Sequence, residues 1–142
     1  MTDSTEEPPS AVLDTNVVLD WLLFRDPRVA ALAAEVEAGR LRWRATPRMR
    51  AEFEAVLARG HLDRWLPDRE RLLLVFDRHS VIEAEAPPCR LVCTDPDDQG
   101  FIDLALHRRC RWLVTHDRAL LRLAARARAF GVQVLPPARW LP

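Results

Sequence analysis

Four carboxylates stand where strands and helices would end or begin. Asp14 follows the apolar run Ala11-Val12-Leu13, and Asp117 closely follows Trp112-Leu113-Val114-Thr115. Asp98 closes Asp95-Pro96-Asp97-Asp98, and Glu52 lies within the segment opened by Thr46-Pro47. A carboxylate buried beside an apolar strand is costly unless it is paired or bound to a cation. Several in one crevice repel each other, and a divalent ion relieves that repulsion. An all-carboxylate set without His or Cys selects a hard ion, Mg²⁺ or Mn²⁺. One or two such ions provide what in-line phosphodiester hydrolysis needs, an activated water and charge relief on the leaving oxygen. Each acid also has a plainer reading as a helix cap or a solvated side chain, because carboxylates satisfy the free N–H groups of a first helical turn.

The elements around these acids alternate between short apolar runs and helical patterns, which indicates an α/β fold. A first strand at 11–13 ends at Asp14. A helical stretch with Val17, Val18, Trp21 and Leu22 follows, then a break at Pro27 and a second helix over 29–38 closed by Gly39. Leu41 and Trp43 alternate with Arg42 and Arg44 as a short strand. Thr46-Pro47 caps a helix running to about Arg59. Residues 61–79 read as helix broken at Pro67, and 81–93 as ambiguous, with a break at Pro87-Pro88. A helix from Asp95 to about Arg109, a buried strand at 112–115, a helix from Asp117 to about Phe130 and a last strand at 132–134 complete the chain. In an open parallel sheet, the strand C-terminal ends line one crevice, and that is where the four acids would meet.

Helical periodicity ranks their neighbours. Around the apolar face set by Met49, Phe53, Val56 and Leu57, Glu52 lies about 85° from the centre and Glu54 about 115°. Asp98 precedes Phe101 and Ile102 by three and four residues and falls on the apolar side of its helix. Asp103, roughly 140° away, reads as solvated.

Composition bounds the rest. The 142 residues suffice for one domain with a real core, expected over 10–142 behind a flexible leader at 1–9. With 21 basic and 21 acidic residues, a globally basic coat is excluded, so any polyanion must be held by a local patch. Every basic residue is Arg. Arg40, Arg42, Arg44, Arg48 and Arg50 form one acid-free run, and Arg108, Arg109, Arg111, Arg118, Arg122, Arg126 and Arg128 form a second cluster, with Asp117 the only acid among them. Arg forks suit phosphate, and Arg42, Arg44, Arg48 and Arg118 are candidates for RNA contact. Trp43 could stack on a base, but its place in an alternating strand reads as core, and the other tryptophans read as core or interface. Cys89, Cys93 and Cys110 are odd in number and lack metal-ligand spacing, so they read as reduced thiols in a cytoplasmic protein. No apolar run reaches the roughly 18–20 residues that span a bilayer.

Ala11-Val12-Leu13-Asp14-Thr15-Asn16-Val17 resembles the opening motif of PIN-domain nucleases. Asp95-Pro96-Asp97-Asp98-Gln99-Gly100-Phe101 and Val114-Thr115-His116-Asp117 resemble the second half of that domain. Glu52-Phe53-Glu54-Ala55-Val56-Leu57 sits where the family carries its second acid, in a setting that favours Glu52. The ending Pro136-Pro137-Ala138-Arg139-Trp140-Leu141 resembles the VapC-like subgroup of toxin components from toxin–antitoxin pairs. The resemblance covers residues 11–141. It implies a three-layer sandwich, helices around a small parallel sheet of four or five strands, and metal-dependent cleavage of RNA. Asp14, Glu52, Asp98 and Asp117 would be catalytic, with Asp14, Asp98 and Asp117 holding the metal and Asn16 and Thr115 orienting the acids. It also implies a cognate antitoxin, for which Trp21-Leu22-Leu23-Phe24 offers an apolar surface, as it would for a homodimer. His116 departs from the Gly frequent in this subgroup and reads as facing solvent or RNA rather than metal. Two other readings use the same residues: a catalytically inactive RNA-binding or interaction module, and an RNA-processing or DNA flap nuclease of the same fold. An aspartyl-phosphate mechanism would want Asp two residues after Asp14, where Asn16 stands.

Overall fold

The computed structural model describes residues 7–142. Most of the expected leader, residues 1–6, lies outside that range. Its last residues join the sheet margin: the Pro9 carbonyl accepts the Arg42 N–H at 2.9 Å, and Glu7 approaches Arg42 at 3.6 Å.

Five parallel strands form one sheet in the order β3-β2-β1-β4-β5. They are β1 (Ser10–Leu13), β2 (Arg42–Ala45), β3 (Ser80–Ile82), β4 (Trp112–Val114) and β5 (Gln133–Leu135). The helices are α1 (Thr15–Leu22), α2 (Ala30–Glu37), α3 (Pro47–Leu57), α4 (Arg69–His79), α5 (Gln99–His107), α6 (Arg118–Leu121) and α7 (Ala124–Ala127). The chain moves outward from β1 to β2 to β3, then crosses to β4 and β5. The order therefore reverses between β1 and β4, the place where open parallel sheets bind ligands.

β1 is buried throughout, as a central strand of a parallel sheet covered on both faces must be. Trp43 of β2 is 1 % exposed. It packs edge-on against Trp21 of α1 at 5.4 Å and Phe76 of α4 at 4.5 Å, and Phe53 of α3 stacks on Phe76 at 5.2 Å. Such contacts each contribute about 0.5–1.5 kcal/mol beyond burial, and they make Trp43 core. Trp112 and Trp140 close the β4 side at 5.3 Å. Trp65 is different, at 40 % exposed. The turns are made as their residues dictate. Thr46 caps α3, accepting from Met49 N at 3.3 Å, while Gly39 and Gly131 end their helices at positive φ, where a Cβ would be strained.

Three expectations are corrected. The ambiguous stretch begins with a strand, β3, which starts directly where α4 stops. The helix expected from Asp117 to Phe130 is two short helices and a 3-10 turn, joined through Arg122 and Leu123, where Leu123 N bonds three residues back to Leu120. Asp103 is not solvated but 7 % exposed. It accepts from Cys89 N at 3.0 Å and Gln99 Nε2 at 2.9 Å. Gln99 in turn accepts from Cys93 N at 2.7 Å and donates to Leu91 O at 2.8 Å. Segment 89–93 thus folds over the helix face that a helical wheel assigns to water.

Candidate active site

The site is assembled at the β1–β4 reversal. The register Leu13↔Val114 brings Asp14 level with Thr115, and Asp14 N donates to Val114 O at 3.1 Å. Asp14 is 4 % exposed. One of its oxygens caps α1 by accepting from Val17 N at 2.9 Å, and the other accepts the Thr115 hydroxyl. The same Thr115 oxygen accepts from Asp117 N at 2.9 Å. A single buried hydroxyl therefore orients two acids from two strand ends. Burial pushes the Asp14 carboxyl above its ordinary range, against the pull of these hydrogen bonds and of His116.

Asp95, Asp98 and Asp117 each place a carboxylate oxygen within 4.8 Å of the others. Asp117 also caps α6, accepting from Ala119 N at 2.7 Å and Leu120 N at 3.4 Å. Asp95 accepts from Asp97 N at 3.0 Å. Asp98 has no such cap bond. Its carboxyl is pushed up to about 7, first by burial, then by its hydrogen bond with Asp117 and the charges of Asp117, Asp95 and Asp14. A carboxyl raised this far is still partly protonated near neutral pH. Among the described residues, none of these four aspartates forms an ion pair. Converging oxygen ligands without a cationic partner suit a hard divalent cation.

The structure brings Asp98 and Asp117 together as the sequence suggests and adds Asp95 from the start of the same turn. The signal was the Asp95-Pro96-Asp97-Asp98 turn itself, which returns the first acid toward the last. Asp14 stands behind this group, linked through Thr115. Glu52 is exposed at the rim, its Oε2 3.5 Å from the Thr15 hydroxyl, whereas Glu54 lies near Arg50 at 4.0 Å. Asn16 is exposed and makes no side-chain hydrogen bond among the described residues, so orientation of the acids rests on Thr115 and backbone N–H groups. His116 stays partly exposed, and its Nε2 lies 2.8 Å from Asp20 of α1, tying down the loop that carries Thr115 and Asp117.

An open groove of about 920 Å³ runs from Glu52 and the 96–97 turn between α3 and segment 85–93. Arg48 lines it, with Glu85 accepting from its backbone N–H at 2.9 Å. Arg44 is mostly buried and paired with Glu83, while Arg40 and Arg50 pair with Glu35 and Asp77. The first arginine run is therefore largely committed to the fold. Arg118 is exposed beside Asp117.

Residues 10–119 match the family model of the PIN domain. No curated protein matches the chain. Among solved structures, a chain of VapBC2 from Rickettsia felis, crystallised bound to a DNA fragment from their promoter, is similar in fold. It shows a TM-score of 0.58 at 13 % identity, over 88 % of this chain and 96 % of that one. With the family match spanning most of the sheet and every acid of the site, this chain belongs to the PIN domain family.

Proposed function

We propose that this protein is a metal-dependent endoribonuclease and the toxin component of a bacterial toxin–antitoxin pair. The observation that carries the first half is the uncompensated trio Asp95, Asp98 and Asp117, backed by buried Asp14. Asp98 and Asp117 are half-buried and Asp95 is exposed; carboxylates held this close repel one another, a cost that a bound divalent cation would remove.

A bound Mg²⁺ or Mn²⁺ lowers the pKa of water and offsets charge on the phosphate and the leaving oxygen. Asp98, Asp117 and Asp95 would hold it, with Asp14 behind them. Asp98 would have to be ionised in that role. Thr115 keeps the Asp14 and Asp117 carboxylates aimed, by donating to one and accepting from the backbone of the other. Glu52 adds negative charge at the rim opposite Thr15. No protein nucleophile is required, and Ser10 is buried within a strand rather than offered to the site.

The toxin half rests on the sequence resemblance and on likeness to a chain of VapBC2. Such a chain would be silenced by a partner protein. The half-buried end of α1 supplies an apolar surface for it: Phe24 packs against exposed Trp65 at 4.9 Å, and Leu66 beside it is 87 % exposed.

Cleavage of labelled single-stranded RNA and DNA, with EDTA, Mg²⁺ or Mn²⁺, tests the enzyme reading. Wild type should cut RNA only with metal, and Asp14→Asn should lose at least roughly 100-fold, the upper end of what losing an outer-shell partner costs. RNA bound but never cut would favour an inactive module, and DNA cut in preference to RNA would favour a flap-type nuclease.

A further inference from the structure

The acids create a difficulty for any RNA substrate, since a polyanion must approach a negative site. The groove does little to help. Arg48 is its one cation, against Glu52, Glu85, Asp97 and Asp103. Beyond Asp117 the chain changes character: residues 118–142 contain five arginines and no acid. Leu120 of α6, Leu123 of the joint and Ala127 of α7 are buried, three and four residues apart. Arg118, Arg122 and Arg126 recur every four residues on the outer side, and all are exposed. Among the described residues none of the three enters an ion pair, unlike Arg28, Arg40, Arg44 and Arg50.

We infer that Arg118, Arg122 and Arg126 form a phosphate track along α6 and α7, so that a single-stranded RNA leaves the acids on this side, not through the groove. This rests on the nuclease reading for its choice of polyanion. From Arg118 to Arg126 the chain under this ridge is near-helical but interrupted at Arg122–Leu123, and at 1.5 Å rise per residue it spans roughly 12 Å. At 3.4 Å or more per nucleotide, that length accommodates roughly three phosphates. Arg118 adjoins Asp117, so the track begins where the trio ends. Guanidinium forks that are not already bridged to carboxylates keep their donors free for phosphate oxygens. Because the chain as a whole is neutral, attraction must be local, and residues 118–142 are the longest acid-free stretch of the sequence.

The test uses full-length protein and a fluorescein-labelled 12-nucleotide oligouridylate in EDTA, read by anisotropy across a salt series. Arg122→Ala with Arg126→Ala should weaken binding roughly 10- to 30-fold at 0.1 M salt and lower the log–log salt slope by about 1.4, the expectation for two lost single-strand phosphate contacts. Arg28→Ala with Arg40→Ala, which removes two paired arginines, should leave both quantities unchanged. Alanine is favourable at exposed helix positions, and an unchanged melting temperature will show that the fold survives. Unchanged RNA binding by the ridge variant overturns the track and leaves an acidic protein partner as the ridge's occupant. Equal losses in both variants overturn it too, since the effect would then be general charge. Binding is read without metal, so a wild type that binds through the ridge yet never cuts would fail the nuclease reading alone.

Discussion

Beside β2 and β3, Glu83 sits between two arginines, paired with mostly buried Arg44 and with Arg108 at 3.1 Å. At the β1–β4 reversal, Asp95, Asp98 and Asp117 crowd together, with Asp14 behind them and no cation paired to any of the four among the described residues. Both clusters hold charge partly withdrawn from water, although Asp95 is exposed. In the first, opposite charges offset the cost, although the Arg44 Nε is left without a partner. In the second, burial and the acidic neighbours raise the Asp98 carboxyl to about 7. The contrast separates charge that secures a fold from charge that waits for a ligand.

The largest effect expected from this contrast is on stability. Glu83→Gln leaves two guanidinium groups facing each other and should cost about 2–4 kcal/mol, somewhat below the range for breaking a fully buried pair. Asp98→Asn should cost nothing in metal-free protein, and its urea midpoint should equal or exceed that of wild type. Cleavage should show the reverse order, retained by Glu83→Gln and lost by Asp98→Asn. If both variants were equally destabilised, the two clusters would be structural alike.

A smaller effect is on pH dependence. The Asp98 carboxyl is raised to about 7 in the folded chain, against an ordinary value of 3.8. The folded state therefore binds the extra proton between about pH 4 and pH 7, and stability from this group falls as pH rises through that window. Asp14 is shifted in the same direction. Asp26, held at about 2 by Arg28, titrates below the window. In EDTA the wild-type melting temperature should decline from pH 5 to pH 8 relative to Asp98→Asn. Parallel profiles would remove the proton from the pair.

Much of this was legible because it is local. Asp14, Thr46 and Asp117 announce helix starts, Gly39 and Gly131 announce ends, and the apolar runs before Asp14 and Thr115 mark the central strands. What was not legible depends on segments distant in sequence. Asp103 looked solvated because a helical wheel cannot show that residues 89–93 fold back over it. Arg44 looked available because its partner, Glu83, lies 39 residues away. β3 was hidden by α4, which runs into it without a break. Asp95 joined the site through a tight turn that sequence spacing reads equally well as a cap. His116 stood at a position where Gly was expected, and its partner Asp20 lies across the β1–β4 reversal.

The most direct test of the carboxylate site is calorimetric titration of metal-free protein with Mn²⁺ at pH 7.5, for wild type and Asp98→Asn. The expected result is saturable binding of one or two ions by wild type, with proton release in buffers of different ionisation enthalpy, and binding at least tenfold weaker in the variant. Absence of binding by a folded wild type, or equal binding by the variant, would contradict it.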